Sequence, residues 1–263
     1  MGDLELRRAY GTGDLAALPA FAGGFINFGY WAGIPLDGEL TVGQRIASQQ
    51  ALYDLVVDAL GIGPGDRVLE VGSGRGPGAR RVLRRDPALV RGVDLMPEQV
   101  ARAARANDDP RVAFVQGASD DLPFPDGSFD ALLSVEAAQH FPDVAGFARE
   151  SARVLAPAGR LAVTTFFTGS DGAGRRLAGL LRTFESGLDH AHRVDDVVRD
   201  LRDAGFADVG ARSIGEHVWR GLDRWLEQGP RPDHWDRNWL RAFERGLVDY
   251  YLVTARKPAG SGV

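Results

Sequence analysis

The chain contains no cysteine. Disulfides, thiolate-bound metals and cysteine nucleophiles are therefore excluded together. Lysine is almost missing as well: Lys257 is the single lysine among 31 basic residues. That skew, with 34 glycines, reads as a bias of the source rather than as a functional signal. No apolar run approaches the ~18 residues of a membrane span, and the first residues lack the charged leader and apolar core of a signal peptide. A cytoplasmic protein without integral membrane association is expected. There is no block of one charge sign either: 31 basic and 36 acidic residues are interspersed, for a net charge of -5. Nucleic acid or an anionic membrane surface is thereby a disfavoured partner. What is present, 263 residues with 44% hydrophobic and 25% charged side chains, suits one globular domain with a core that needs no covalent staples.

Periodicity and punctuation organise this chain. In residues 1–40, Phe21, Phe25, Phe28, Tyr30 and Trp31 fall between glycines without a helical or strand period. Such a segment is either an N-terminal arm anchored by its hydrophobic residues or an aromatic lid on glycine hinges. Thr41 and Gln44 form a capping box, and Val42, Ile46, Leu52 or Tyr53, Val56 and Leu60 recur behind it at helical spacing. Gln49 shares that apolar face and needs a buried partner. Residues 67–71, 89–93, 112–115, 129–135 and 161–166 read as strands alternating with helices, which predicts an α/β, doubly wound sheet covered on both faces. A helix is expected over 175–184 within a substrate-cap segment at about 168–193. Strands at 206–214 and 250–255 flank a helical insertion at about 216–246, and residues 258–263 are expected to be a flexible tail.

A glycine turn follows the first strand, where such sheets hold nucleotide-like ligands: Glu70-Val71-Gly72-Ser73-Gly74-Arg75-Gly76-Pro77-Gly78. A dinucleotide fingerprint would need glycine at position 77, where Pro77 stands. Glu70 would repel a pyrophosphate but attract a cationic amino group. Asp94, at the end of the second strand, is placed to accept ribose hydroxyls. The expected ligand is a nucleoside bearing an amino-acid group.

With these residues the sequence resembles the class I S-adenosylmethionine-dependent methyltransferases, particularly the small-molecule enzymes of natural-product, antibiotic, quinone and tocopherol methylation. Further carriers of the resemblance are Gly92-Val93-Asp94, residues 117–130, Val154-Leu155-Ala156-Pro157-Ala158-Gly159 and the aromatic box Asn27-Phe28-Gly29-Tyr30-Trp31. The resemblance implies a Rossmann-like seven-stranded sheet in order 3-2-1-4-5-7-6, its last strand antiparallel, with an N-terminal helical arm and a helical cap. It implies S-adenosyl-L-methionine as cofactor and S-adenosyl-L-homocysteine as product. Gly72, Gly74 and Gly76 would floor the pocket, Glu70 would anchor the ammonium, Asp94 the ribose, and Leu95 and Met96 would line the adenine. The family's usual Gly-Asp-Ala reads Gly117-Ala118-Ser119 here, leaving Ser119 to meet the adenine by its N–H or hydroxyl. Gln49 is a candidate for the cofactor carboxylate or the substrate.

Methyl transfer needs an acceptor held in line and, for a hydroxyl, removal of a proton. His140, in the turn after the fourth strand, has the near-neutral pKa of a base; an orienting or structural role is the alternative. Glu136 either orients that imidazole or the substrate, or is a loop carboxylate. Gln139 stands beside them as a substrate contact, and Phe25, Tyr30, Trp31 and Phe167 are candidates for an aromatic roof. His190 and His192 are expected to be solvated, with no metal site, and His217 and His234 to pack a lid or a subunit interface, a homodimer being one option. The expected acceptor is a small, mostly apolar metabolite, with Arg45 keeping a phosphorylated one open. O-methylation in a tailoring pathway is the main expectation. C-methylation of an aromatic ring or isoprenoid chain, and a cofactor-binding cyclase or scaffold, are the alternatives.

Overall fold

The computed structural model describes residues 5–12, 20–230 and 232–260. Its first long helix, α1 (Val42–Leu60), begins where Thr41 and Gln44 exchange hydrogen bonds and stops at Gly61, whose φ of 59° is left-handed. Then β1 (Arg67–Val71), α2 (Pro77–Val82), β2 (Leu89–Asp94), α3 (Pro97–Ala106), β3 (Val112–Gln116), β4 (Phe129–Val135), α4 (Val144–Val154) and β5 (Leu155–Phe167) follow. The chain continues through α5 (Ala173–Ala178), α6 (Arg182–Ser186), α7 (Val194–Asp203), β6 (Ala207–Ser213), α8 (Trp219–Glu227), α9 (Asn238–Glu244) and β7 (Asp249–Arg256).

The strands form one sheet in order β3-β2-β1-β4-β5-β7-β6. All pairings are parallel except those of β7, which runs antiparallel to β5 and β6. The expected topology is therefore present. Alternation along each strand feeds two cores. Leu52, Val56, Val68, Phe166, Trp219 and Trp239 pack on the face covered by α1, α8 and α9. Leu69, Val71, Phe147, Phe167 and Leu201 pack on the face covered by α4 and α7. Burial of both faces is what parallel strands require.

Some boundaries differ from expectation. The helix expected over 175–184 is split into α5 and α6, the first ending at Gly179. The fifth strand starts at Leu155, because Leu155 already pairs with Phe129 of β4. The tail is held at its beginning, where the Ala158 N–H donates to the Pro258 carbonyl; residues 261–263 lie outside the described residues.

Residues 20–40 are built into the molecule. Phe25 packs on the Tyr53 ring at 5.7 Å. Trp31 lies against Gly221 of α8, where a Cβ would come within 2.1 Å of the indole. Two side chains of α1 supply the hydrogen bonds that this irregular backbone cannot make with itself. The fully buried Arg45 donates to the carbonyls of Ala20, Asn27 and Phe28, and burial lowers its pKa to about 9. Gln49 donates to the Phe25 and Asn27 carbonyls and accepts from the Ala22 N–H.

Candidate active site

The turns after β1, β2 and β4 open onto a cavity of about 540 Å³. The Gly72 and Ser73 N–H groups donate to the Val93 carbonyl at 2.8 and 2.9 Å, which holds the glycine turn against β2. Gly72 has φ 77°, and a Cβ on it would stand 2.2 Å from that of Ala137, so no other residue fits. Asp94 accepts the Gly74 and Met96 N–H groups at 2.8 and 2.9 Å, which fixes its carboxylate on the cavity wall. Burial raises its pKa and those two bonds oppose the rise. Leu95, Met96, Ala118 and Ser119 line the same cavity.

Three expected cofactor residues stand elsewhere. Gly76 caps α2 in left-handed backbone and lies against Phe114, a Cβ there meeting the ring at 2.6 Å. Gln49 is consumed by the N-terminal segment. Glu70 lies behind the lining, fully buried, with Oε1 accepting the Tyr53 hydroxyl at 3.0 Å and Oε2 without a partner. Burial pushes its pKa up to about 8. Tyr53 is the residue that faces the cavity. The glycine cradle, the fixed Asp94 carboxylate and the apolar walls together fit a nucleoside, while Glu70 Oε2 is left without a partner behind Tyr53.

A second cavity, of about 440 Å³, opens beside the first. Phe21, Ile26, Phe28, Phe166, Trp235 and Trp239 are among its walls. None of the four expected roof residues is. Phe25 and Trp31 are core, and Tyr30 meets the His217 ring edge-on at 5.3 Å. Phe167 falls on the opposite sheet face against Tyr251, and its neighbour Phe166 takes the place, as strand alternation dictates. Arg45 is also absent from the lining, its donors spent on carbonyls, so it does not offer a phosphate site.

Tyr10, Ile26, Glu136 and His140 line both cavities. Tyr10 lies in a π-helical turn (Arg7–Thr12) held on α3, where Gln99 and Arg102 donate to its carbonyl. Its hydroxyl is 2.9 Å from His140 Nε2. Gln139 Nε2 lies 3.2 Å from the same nitrogen, and its orientation is set by the Thr165 hydroxyl, which donates to Gln139 Oε1 at 2.6 Å. On the other side of the ring, Nδ1 faces the Leu188 carbonyl at 2.9 Å and Asp189 Oδ1 at 3.1 Å. Acceptors at Nδ1 and donors at Nε2 make the neutral ring an Nδ1–H tautomer with a lone pair at Nε2. The Nδ1–H points to the carbonyl, so Asp189, whose Oδ1 takes no well-directed hydrogen bond, acts through its charge. Burial alone would lower the His140 pKa, but Asp189 and the Leu188 carbonyl outweigh it and raise the value above 6.5.

Glu136 has φ 46°, an uncommon conformation for a side-chain-bearing residue. Its Oε1 accepts the Phe28 N–H and the Tyr250 hydroxyl, and burial raises its pKa to about 7 against those bonds. It therefore ties the N-terminal segment to β7; orienting the imidazole falls to Leu188 and Asp189. His190 and His192 are not solvated as expected. His190 lines the first cavity, His192 Nε2 is 2.8 Å from the Phe141 carbonyl, and burial lowers both pKa values. His234 lines the second cavity. Tyr10 and Asp189 escaped sequence reasoning because each sits in a segment with no motif or period around it. Among the described residues, no group of three or more His, Asp or Glu side chains is arranged to hold a metal, and no helix is long and apolar enough to cross a membrane.

The methyltransferase domain family matches residues 69–163. The erythromycin 3''-O-methyltransferase of Saccharopolyspora erythraea is 34% identical, over 90% of this chain and 84% of that protein. The 27-O-demethylrifamycin SV methyltransferase of Amycolatopsis mediterranei is 30% identical, over 89% and 90%. Among solved structures, the cyclase SpnF aligns with a TM-score of 0.69 at 27% identity, covering 90% of this chain and 88% of that one. The geranyl diphosphate C-methyltransferase of Streptomyces coelicolor aligns over 97% of both chains with a TM-score of 0.81; at 17% identity this is a likeness of fold alone.

Proposed function

The chain belongs to the class I S-adenosylmethionine-dependent methyltransferases of small molecules, and we propose that it methylates an oxygen atom of a mostly apolar natural product. S-adenosylmethionine, taken by the glycine cavity, supplies an electrophilic methyl group. The observation that carries the reading is the wall common to both cavities, with Tyr10 and His140 at its centre. An acceptor hydroxyl arriving from the aromatic side meets the Tyr10 hydroxyl and the Nε2 lone pair of His140. Its proton passes to Nε2, directly or through the Tyr10 hydroxyl, and Asp189 stabilises the imidazolium that results. The aromatic walls keep water from competing for the methyl group. The name of the erythromycin relative favours oxygen over carbon as the acceptor atom.

A second reading, a cofactor-binding cyclase, is favoured by the likeness to SpnF and by the occupation of the His140 lone pair by Tyr10. Calorimetric titration with S-adenosylhomocysteine comes first, followed by transfer of a labelled methyl group to hydroxylated natural products, 27-O-demethylrifamycin SV among them. Expected are one saturable site per chain and a methylated oxygen. His140→Ala should lower single-turnover transfer by ~10²–10⁴-fold while homocysteine-product affinity stays within about threefold. A transfer rate within about threefold of the parent removes His140 as base. Cofactor binding with an acceptor transformed but never methylated moves the cyclase to the front.

A further inference from the structure

Thr165 places a hydroxyl where the core is otherwise apolar. It is fully buried in β5, on the strand face shared by Leu161, Val163 and Phe167 and paired with Tyr251 of β7. It lines neither cavity. Valine has almost the same shape and no hydroxyl to desolvate, so packing alone favours it there. The Thr165 hydroxyl is spent on Gln139, itself 4% exposed, donating to Oε1 at 2.6 Å. With its oxygen end held, the amide turns its nitrogen to two acceptors. These are the Glu136 carbonyl at 3.0 Å and the Nε2 lone pair of His140 at 3.2 Å.

A donor at Nε2 favours the neutral imidazole, because an imidazolium would set N–H against N–H. It works against Asp189 and the Leu188 carbonyl, which favour the imidazolium from the Nδ1 side. The other ionisable groups facing the ring are Tyr10 from the N-terminal turn, Asp94 from the end of β2, Glu136 from the end of β4 and His190 beside Asp189. Tyr10 bonds the same nitrogen, and the other three act through charge. Resting on His140 as the base for the acceptor hydroxyl, we propose that Thr165 is a positioning residue for methyl transfer: it pins the Gln139 amide so that an N–H faces His140 Nε2 and keeps that nitrogen unprotonated until the acceptor arrives. Asp189 lets the ring take a proton, and Thr165, through Gln139, lets it give that proton up before the next turnover. Thr165→Val leaves Gln139 Oε1 buried without a donor. The amide then turns into the acceptor cavity, which Gln139 already lines, to hydrate its oxygen, and His140 loses the N–H.

The test is an NMR titration of the histidine rings in the full chain saturated with S-adenosylhomocysteine. Loss of one set of signals in His140→Gln identifies that ring among the five histidines. In Thr165→Val the His140 pKa should rise by about half a pH unit or more, and in Thr165→Ser, which keeps the hydroxyl, it should stay within about 0.2. Gln139→Met should raise it likewise, and Thr165→Val should add nothing on that background. A value unmoved or lowered in Thr165→Val overturns the proposal, as does a further rise when that change is added to Gln139→Met. If Thr165→Val does not fold, Gln139→Met decides, and an unmoved value there also overturns it. The rising limb of methyl transfer to 27-O-demethylrifamycin SV should follow the ring to higher pH in Thr165→Val. A ring that moves while the limb stays fails instead His140 as base, the reading beneath, so the two failures are told apart.

Discussion

The two cavities are neighbours built in opposite ways. The cavity with the glycine cradle is framed by turns at the ends of adjacent strands. Amides of Gly74 and Met96 fix Asp94, and Gly72 has no room for a Cβ. The cavity proposed for the acceptor is lined mainly by side chains brought from the N-terminal segment, the loop around Asp189 and the α8–α9 region. A turn whose Gly72 has no room for a Cβ tolerates no substitution at that position. Side-chain construction on loops and short helices can change its lining without disturbing the sheet.

The contrast can be broken first at Gly72. Gly72→Val should weaken S-adenosylhomocysteine binding by more than ~100-fold, read by calorimetry, because the added side chain strikes Ala137 in a left-handed backbone. A parental affinity would mean that the turn is pliable and that the contrast is false. Tyr10→Phe probes the shared wall. It keeps the ring and removes the hydroxyl from His140, and transfer should fall about 10-fold with little change in cofactor affinity.

Asp189 sharpens the acceptor side through pH. His140 must be neutral to take a proton, so single-turnover transfer rises with pH through its pKa, which Asp189 helps to raise above 6.5. Asp189→Asn should move that rising limb to lower pH; a limb that stays in place would show that the carboxylate does not set the base. The smallest effect is on stability. Glu70 keeps its proton in the folded chain up to about pH 8, against an ordinary 4.5, so the stability this gives is full below 4.5 and is lost as pH rises through 8. Glu70→Gln should shrink the fall in unfolding temperature between pH 5 and pH 8.5 by roughly 5 °C, whereas an unchanged slope would mean that Glu70 is ionised in the fold.

The same contrast explains what could be read from the chain. Asp94, Leu95, Met96 and Ser119 reach the cofactor cavity because each stands at a strand end or turn whose position the βαβ alternation dictates. Glu70 was legible as a strand-end carboxylate but not as a buried one, since its depth depends on Tyr53 of a different element. His140 was legible for the same reason as Asp94. Its partners Tyr10 and Asp189 were not, being 130 and 49 residues away along the chain. Phe167 shows the cost of a shift by one residue: the element was right and the face was wrong. Phe25, Tyr30 and Trp31 belong to an aperiodic segment whose side-chain directions are decided by Arg45 and Gln49, and no local pattern announces that.

Tyr10 has a thermodynamic consequence beyond its hydroxyl. One side chain forms part of both walls, so a rearrangement of it that suits one ligand alters the site of the other. Linkage makes that influence mutual: whatever factor the acceptor contributes to cofactor affinity, the cofactor must return to acceptor affinity. Affinities measured for either partner alone therefore describe a different equilibrium from the one in which methyl transfer takes place.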